Sequence, residues 1–163
     1  MSKSARLISV AIGLLAVGIA IASVRPFSRY QRARCNETLK LLGNAIQTYQ
    51  AEQQGRLPRQ FSALSNELSN PAFLICPGSG HTPGNFSNAD SWADYTLVDW
   101  PALLETNSVP TSYPIAYDRS LSNHGGRGVN VLTVDGFVRW DPNAERIKKF
   151  AAEHPNFKLS VPK

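Results

Sequence analysis

Few side chains in this chain of 163 residues could perform chemistry. Cys76, His124 and Asp118 can be combined as a nucleophile, a base and an orienting carboxylate, but their spacing is not typical of such a site. A metal site would use His124 with Asp118 or His81, and these residues lack the ligand clustering of known metal motifs. The sequence therefore predicts no catalytic residue, no metal and no cofactor.

Asp135 and Gly136 have a structural explanation. They separate two strand-like runs, VNVLTV and FVRW, and Asp-Gly in that position is the preferred two-residue turn of a type I′ hairpin. In the register set by this turn, Val131 lies opposite Trp140. We expect the short polar side chain of Asp135 to tolerate a positive φ in the turn.

A glycine-rich loop precedes this hairpin, from His124 to Gly128. Together with Arg127 it could cradle an anion, but a loop that leads into a hairpin explains its glycines equally well. We expect His124 to hydrogen-bond a loop carbonyl and fix the Gly125-Gly126 turn. The role predicted for His124, Asp135 and Gly136 is thus structural.

The two cysteines, Cys35 and Cys76, are too few for a disulfide framework. In an exported domain they could form one disulfide, whose loop of about 40 residues would stabilise the fold by about 4 kcal/mol in the chain-entropy model. The alternative is two reduced, buried cysteines that act as small apolar residues. Both interpretations stay open.

These residues must be positioned by a chain that begins with an apolar run. Residues 7–24 contain no charged side chain and as a helix would cover about 27 Å, enough for a bilayer core. Pro26 predicts a kink or a brief break after this segment. A cleaved export signal with a small-residue site at 20–22 is the alternative, and the length of the run favours a retained anchor.

Six basic residues lie before the first acidic residue, Glu37. They are Lys3, Arg6, Arg25, Arg29, Arg32 and Arg34. The other eleven bases face twelve acids, so the net charge of +5 belongs to the flanks of the apolar run. Basic residues beside a bilayer gain about 1 kcal/mol each from anionic lipid. This explains the basicity by a membrane surface and without a nucleic-acid partner.

An amphipathic helix follows the basic flank. Its apolar stripe consists of Cys35, Leu39, Leu42, Ile46 and Tyr49, at spacings of three and four residues. Gly55 and Pro58 end the pattern in the way that helix termini commonly end.

Short elements are predicted beyond this helix. They are a helix at 61–68, a strand or extended segment at 72–76, a strand at 95–98, an edge strand at 113–117, and a helix from the N-cap Asp141 to about residue 153. The strand at 113–117 is placed at an edge because Pro114 cannot donate to a central ladder. The polar tail from Pro155 is expected to fray.

Such short strands cannot bury a core alone, so the sheet must pack on the stripe of the long helix. The sequence therefore predicts an α+β fold in three parts: a membrane segment (1–24), a basic collar and amphipathic helix (25–58), and a small antiparallel globular part packed on that helix (59–163).

Two separated motifs resemble one protein family. Residues 32–49, RARCNETLKLLGNAIQTY, and the following GRLP resemble the segment after the membrane helix in type IV pilin-like proteins and type II secretion pseudopilins. The similarity is greatest to the group with a prepilin-type H-x9-DG motif, abundant in planctomycetes, which residues 122–140 resemble. The LICP at 74–77 resembles a Cys-Pro element of the same proteins.

The chain departs from this family in two places. Ten residues, rather than nine, separate His124 from Asp135, which predicts a bulge or a longer turn before the hairpin. The amino terminus also lacks the Gly-Phe-Thr-Leu-x-Glu type of prepilin peptidase site, and the glutamate of that site is implicated in subunit assembly.

The resemblance implies a pilin-like protein that is not an enzyme. Its long helix, half in the inner (cytoplasmic) membrane, would carry the domain on the extracytoplasmic side. The expected role is structural or in assembly, in a type II secretion or type IV pilus-like system, with other pilin-like subunits or secretion components as partners. The alternative is a tethered envelope binding domain that does not polymerise, and the missing glutamate favours it.

Overall fold

The structure, a computed structural model, describes residues 29–100, 110–157 and 159–163. The predicted membrane segment (1–24), Arg25 and Pro26 lie outside these residues. Among the helices of the described residues, none has the length and apolar character needed to cross a bilayer. The described part combines helices with one four-stranded antiparallel sheet, which confirms the predicted α+β class.

Helix α1 is described from residue 29 and ends at residue 52. It ends where predicted, because Gln54 and Gly55 adopt positive φ values of 54° and 84°, which a continuing right-handed helix cannot accommodate. The predicted stripe is correct. Its first four members, Cys35, Leu39, Leu42 and Ile46, are fully buried, and Tyr49 is half-buried against the core.

The buried face of α1 packs on the sheet. A Cβ added to Gly43 would lie 3.1 Å from Leu132 Cδ1, so the helix backbone approaches the sheet closely at this point. Two turns earlier, Asn36 Nδ2 donates to the Val138 carbonyl at 3.5 Å. The helix and the sheet therefore share one hydrophobic core, as predicted.

The sheet is a meander in which neighbours in the chain are neighbours in space. Its strands are β1 (Tyr95–Leu97), β2 (Pro114–Asp118), β3 (Gly128–Thr133) and β4 (Val138–Pro142). The prediction of an edge position for β2 is wrong, because β2 pairs with both β1 and β3. Pro114 is tolerated there as the first residue of the strand, with a register shift between Pro114 and Ala116.

The turn between β3 and β4 differs from the predicted two-residue type. Thr133 N donates to the Phe137 carbonyl, and Gly136 N donates to the Thr133 carbonyl at 2.8 Å. This is a three-residue loop with Gly136 left-handed, at a φ of 78°, the usual form of three-residue hairpins. Trp140 consequently pairs with Asn130, and the predicted partnership with Val131 is wrong by one residue.

Replacement of Gly136 by alanine is expected to lower the free energy of unfolding by about 1–2 kcal/mol, because a Cβ is strained at positive φ. Asparagine tolerates this conformation better, and Gly136→Asn should recover part of the loss. Chemical denaturation of the three proteins measures the difference. Equal stability of all three would show that this backbone is not left-handed.

The two elements predicted before the sheet are observed as short 3₁₀ helices. The expected helix at 61–68 is a 3₁₀ helix at Phe61–Leu64, although Phe61, Leu64 and Leu68 are buried as its pattern implied. In place of the expected strand or extended segment at 72–76, the chain forms a 3₁₀ helix at Pro71–Leu74. The Asn70 side chain starts that helix by accepting from Ala72 N. Helix α2 (Ala89–Trp92) then precedes β1.

The carboxyl-terminal region contains helix α3 (Glu145–Glu153). Asp141 was expected to be its N-cap residue but belongs to β4, and Ala144 occupies the cap position. The Asp141 carboxylate still caps the helix, because it accepts from the backbone N–H groups of Arg146 and Ile147.

The tail after α3 is docked on the sheet, so the expectation of a frayed tail is wrong. Phe157 is buried, and the Tyr117 hydroxyl donates to the Ser160 carbonyl at 2.8 Å. Leu121 N donates to the Lys163 carbonyl at 3.0 Å. Aromatic contacts and backbone hydrogen bonds hold this segment despite its polar composition.

Candidate functional site

Four side chains with potential metal-ligand atoms lie close together in the interior of the described part of the chain. They are Cys35, Cys76, Asp118 and His124, and the relevant sulfur, oxygen and nitrogen atoms all lie within 4.8 Å of one another. The first three residues are fully buried, and His124 is 6% exposed. This group is called the Cys-Asp-His cluster below.

Each member of the cluster comes from a different element. Cys35 is the first member of the buried stripe of α1, and Asp118 is the last residue of β2. Cys76 follows the 3₁₀ helix at Pro71–Leu74. His124 ends another 3₁₀ helix, Leu121–His124, which stops because Gly125 is left-handed with a φ of 65°.

Asp118 is the centre of the hydrogen bonding. Its Oδ2 accepts from His124 Nε2 at 2.9 Å, from Asn130 N at 2.6 Å and from Asn130 Nδ2 at 3.2 Å. Its Oδ1 accepts from Cys35 Sγ at 3.1 Å. A buried carboxylate with this many donors is well compensated, since each hydrogen bond offsets part of its lost hydration.

One ring nitrogen of His124, Nε2, faces the other members of the cluster. Nε2 lies 2.9 Å from Asp118 Oδ2, 3.8 Å from Cys76 Sγ and 3.2 Å from Asn130 Nδ2. Nδ1 is buried and has no hydrogen-bond partner among the described residues. The ring is held in place by an edge-to-face contact with Trp140, with centroids 5.5 Å apart.

Charges within the cluster shift its acid–base properties. Burial alone would lower the pKa of His124, but hydrogen bonds to Asp118 and Cys76 and the charge of Asp118 together raise it to about 9. The side-chain interaction with Cys35 lowers the pKa of the Cys76 thiol. The same interaction, burial and the nearby Asp118 charge raise the pKa of Cys35.

The cluster does not have the arrangement of a catalytic triad. In a catalytic triad the carboxylate holds one ring nitrogen and the nucleophile meets the other. Here Asp118 and Cys76 both face Nε2 of His124. The cluster is also buried, which leaves no surface at which a substrate could meet the Cys76 sulfur. What the geometry brings together is a set of donor atoms around one point.

The residues predicted as a possible disulfide are among those brought together. In the described part of the chain Cys35 and Cys76 are both free thiols. His81, the other residue that could have joined His124 in a metal site, lies elsewhere: its side chain is 63% exposed and its Nδ1 lies 2.6 Å from Asp94 Oδ1. Asp118 is the partner of His124 instead, and the predicted hydrogen bond from His124 to a loop carbonyl is wrong.

Asp135 and Gly136 stabilise the hairpin turn, but their roles in it differ from those predicted. Gly136, rather than Asp135, has the positive φ. The Asp135 carboxylate accepts from Phe137 N at 3.2 Å and from both terminal nitrogens of Arg139, at 3.0 and 2.7 Å. Thr133 Oγ1 also donates to Asp135. This side-chain network selects the longer loop.

The Asp135–Arg139 pair predicts an acid dependence of stability. Hydrogen bonds from Arg139, and then from Thr133 and Phe137 N, hold the pKa of Asp135 well below its usual range. The stabilisation is therefore complete above the unfolded pKa of about 4 and is lost as pH falls toward the folded pKa. Unfolding of Asp135→Asn and the parent protein should differ at pH 7 and converge in strong acid. A difference that grows below pH 4 would contradict this assignment.

The residues of the predicted membrane flank are exposed where they are described. Arg29, Arg32 and Arg34 are exposed, and the guanidinium of Arg32 lies 4.8 Å from the centroid of the Trp140 ring. Arg25 is outside the described residues.

Two residues of the site were missed from the sequence. Asn130 is a buried polar residue in the middle of β3, and its alternation with the apolar Val129 and Val131 looks like an ordinary strand pattern. The Tyr95 hydroxyl lies 3.3 Å from Cys35 Sγ, and its sequence context signals only a strand. The one indication of the site in the sequence is Asn130 itself, a polar residue at a strand position that faces inward.

No family model matches the chain, and no curated protein or solved structure matches it.

Proposed function

We propose that the chain is a membrane-anchored, pilin-like protein without enzymatic activity, with a structural or assembly role in a type II secretion or type IV pilus-like envelope system. One observation carries the proposal. In the described residues, helix α1 packs an apolar stripe on a small antiparallel sheet, and the described part of α1 begins shortly after the apolar run of residues 7–24. A helix of that kind would extend from a bilayer and display the sheet outside it.

Charge and exposure support the same interpretation. Arg29, Arg32 and Arg34 are exposed at the described start of α1, where lipid headgroups would lie. Farther along, Leu41 is 45% exposed on the face of α1 that the sheet does not cover.

The amino terminus of the native protein tests the anchor. The full chain is recovered from membranes, and its intact mass and amino-terminal peptide are determined. A chain that starts at Met1 or Ser2 supports a retained anchor. A start near Ser23 means a cleaved export signal and overturns the proposal. Trimming with methylation just before the apolar run supports processing of the prepilin type.

A second candidate is a tethered binding domain that never polymerises, which the missing Gly-Phe-Thr-Leu-x-Glu pattern favours. A photo-crosslinking amino acid at Leu41 separates the two candidates. Crosslinks between copies of the chain in membranes support assembly, and crosslinks only to other proteins support the tethered domain. The same probe at Phe137, which is exposed on the hairpin, serves as the control for random collisions.

A further inference from the structure

The Cys-Asp-His cluster has the dimensions of a four-coordinate metal site. A tetrahedral Zn²⁺ bound at its usual ligand distances separates sulfur, nitrogen and oxygen donors by about 3.3–3.8 Å. Cys35 Sγ lies 3.1 Å from Asp118 Oδ1, and Cys76 Sγ lies 3.8 Å from His124 Nε2. No pair of these ligand atoms is more than 4.8 Å apart, so small shifts of the side chains would bring all four into contact with one metal ion.

One ring nitrogen of the cluster faces three polar groups at once. Nε2 of His124 can donate one hydrogen bond or accept one. It nevertheless faces the Asp118 carboxylate, the Cys76 sulfur and the Asn130 amide. A cation at the centre would bond to the imidazole, the carboxylate and both sulfurs at once.

Three of the four members of the cluster, Cys76, Cys35 and Asp118, have outer hydrogen bonds of the kind that support metal ligands. Gly78 N donates to Cys76 Sγ at 3.4 Å, and the Tyr95 hydroxyl lies 3.3 Å from Cys35 Sγ. Asn130 holds Asp118 Oδ2 through its backbone N–H and its side chain. Such outer hydrogen bonds orient the ligands and stabilise their deprotonated forms.

We propose that Cys35, Cys76, Asp118 and His124 bind one divalent metal ion of borderline softness, Zn²⁺ by the chemistry of the donors. Four protein ligands fill a tetrahedron and leave no position for water, so the site is structural. It links α1, the segment after Pro71–Leu74, β2 and the 3₁₀ helix Leu121–His124. The inference does not depend on the proposed membrane function, because it rests on the described residues alone.

The test uses the full chain, purified under reducing conditions without chelator and then supplied with Zn²⁺. We expect about one zinc per chain by elemental analysis and a melting temperature that falls when a chelator removes it. With Co²⁺ instead, the protein should show the visible bands of tetrahedral cobalt and a thiolate charge-transfer band. The two signals report geometry and sulfur ligation without any activity assay.

Variants assign the ligands. Asp118→Asn and His124→Gln should each weaken zinc binding by more than about 100-fold, since loss of even an outer hydrogen-bonding group weakens metal sites by 10–100-fold. His81→Gln is the matched control, because His81 also pairs with an aspartate but lies outside the cluster. It should leave the stoichiometry and the cobalt spectrum unchanged.

Three results would overturn the proposal. The first is a chain with two titratable thiols that binds no zinc above the level of a non-binding reference protein. The second is a native chain lighter by two hydrogens with no free thiol, because a Cys35–Cys76 disulfide would then occupy the site. The third is loss of zinc in His81→Gln with retention in Asp118→Asn, which would locate the metal elsewhere.

Discussion

Replacement of Asp118 by alanine is expected to lower the free energy of unfolding by about 3–5 kcal/mol, the usual loss when one member of a buried charged pair is removed. Asp118 is fully buried and is the common acceptor for His124, Asn130 and Cys35. Without it, the imidazole and the amide groups remain buried with no acceptor, and each carries a desolvation penalty.

The measurement is urea denaturation of the full chain in the presence of a chelator, so that any metal contribution is absent from both proteins. Asp135→Ala is the matched control. It also removes an aspartate paired with a cationic partner, but Asp135 and Arg139 are partly exposed and their pair should contribute about 1 kcal/mol or less. Equal losses for the two variants would mean that the buried network of Asp118 contributes nothing beyond a surface pair.

The second large effect is expected at the contact between α1 and the sheet. Leu42→Ala should lower the free energy of unfolding by about 2–5 kcal/mol, because Leu42 is fully buried and its removal leaves a cavity against the core. The loss should reduce the hydrogen-exchange protection of α1 most strongly, since this leucine attaches the helix to the sheet.

The adjacent residue supplies the control for this prediction. Leu41 has the same side chain on the same helix but is 45% exposed. Leu41→Ala preserves helix propensity and should change stability by less than about 0.5 kcal/mol. If both substitutions had the same effect, the apolar stripe would not be the surface on which the sheet packs.

The long helix could be predicted because its information is local. Its stripe repeats every three to four residues from Cys35 onward, and Gln54 and Gly55 end the helix shortly after Tyr49, the last member of the stripe. Burial of Phe61, Leu64 and Leu68 was predictable for the same reason, even though the element there is a 3₁₀ helix.

The hairpin register was harder to predict from the sequence, because Asp-Gly is compatible with two turn types. The side chains of Thr133 and Arg139, which hydrogen-bond to Asp135, favour the three-residue loop.

The position of β2 in the sheet was also predicted incorrectly from a local rule. A proline argues against a central strand only in its interior, and Pro114 is the first residue.

The Cys-Asp-His cluster could not be derived from spacing. Cys35 lies 83 residues before Asp118, and Cys76 lies 48 residues before His124. Motif reasoning detects ligands that are close in sequence, whereas these four are close only after α1 has packed on the sheet. Asp118 and His124, six residues apart on a strand end and the following turn, were the one local pair.

The separation of Cys35 from Asp118 also has a consequence for biosynthesis. A ribosome that adds about 5–20 residues per second needs roughly 4–17 s to reach Asp118 after Cys35 has been made. During that interval the apolar stripe of α1 has no sheet to cover it, because β2 and β3 have not yet been synthesised. The nascent helix is therefore exposed to chaperones and to other chains until late in translation. A chain truncated before residue 118 would keep that surface open permanently, which makes such fragments natural substrates for proteolytic quality control.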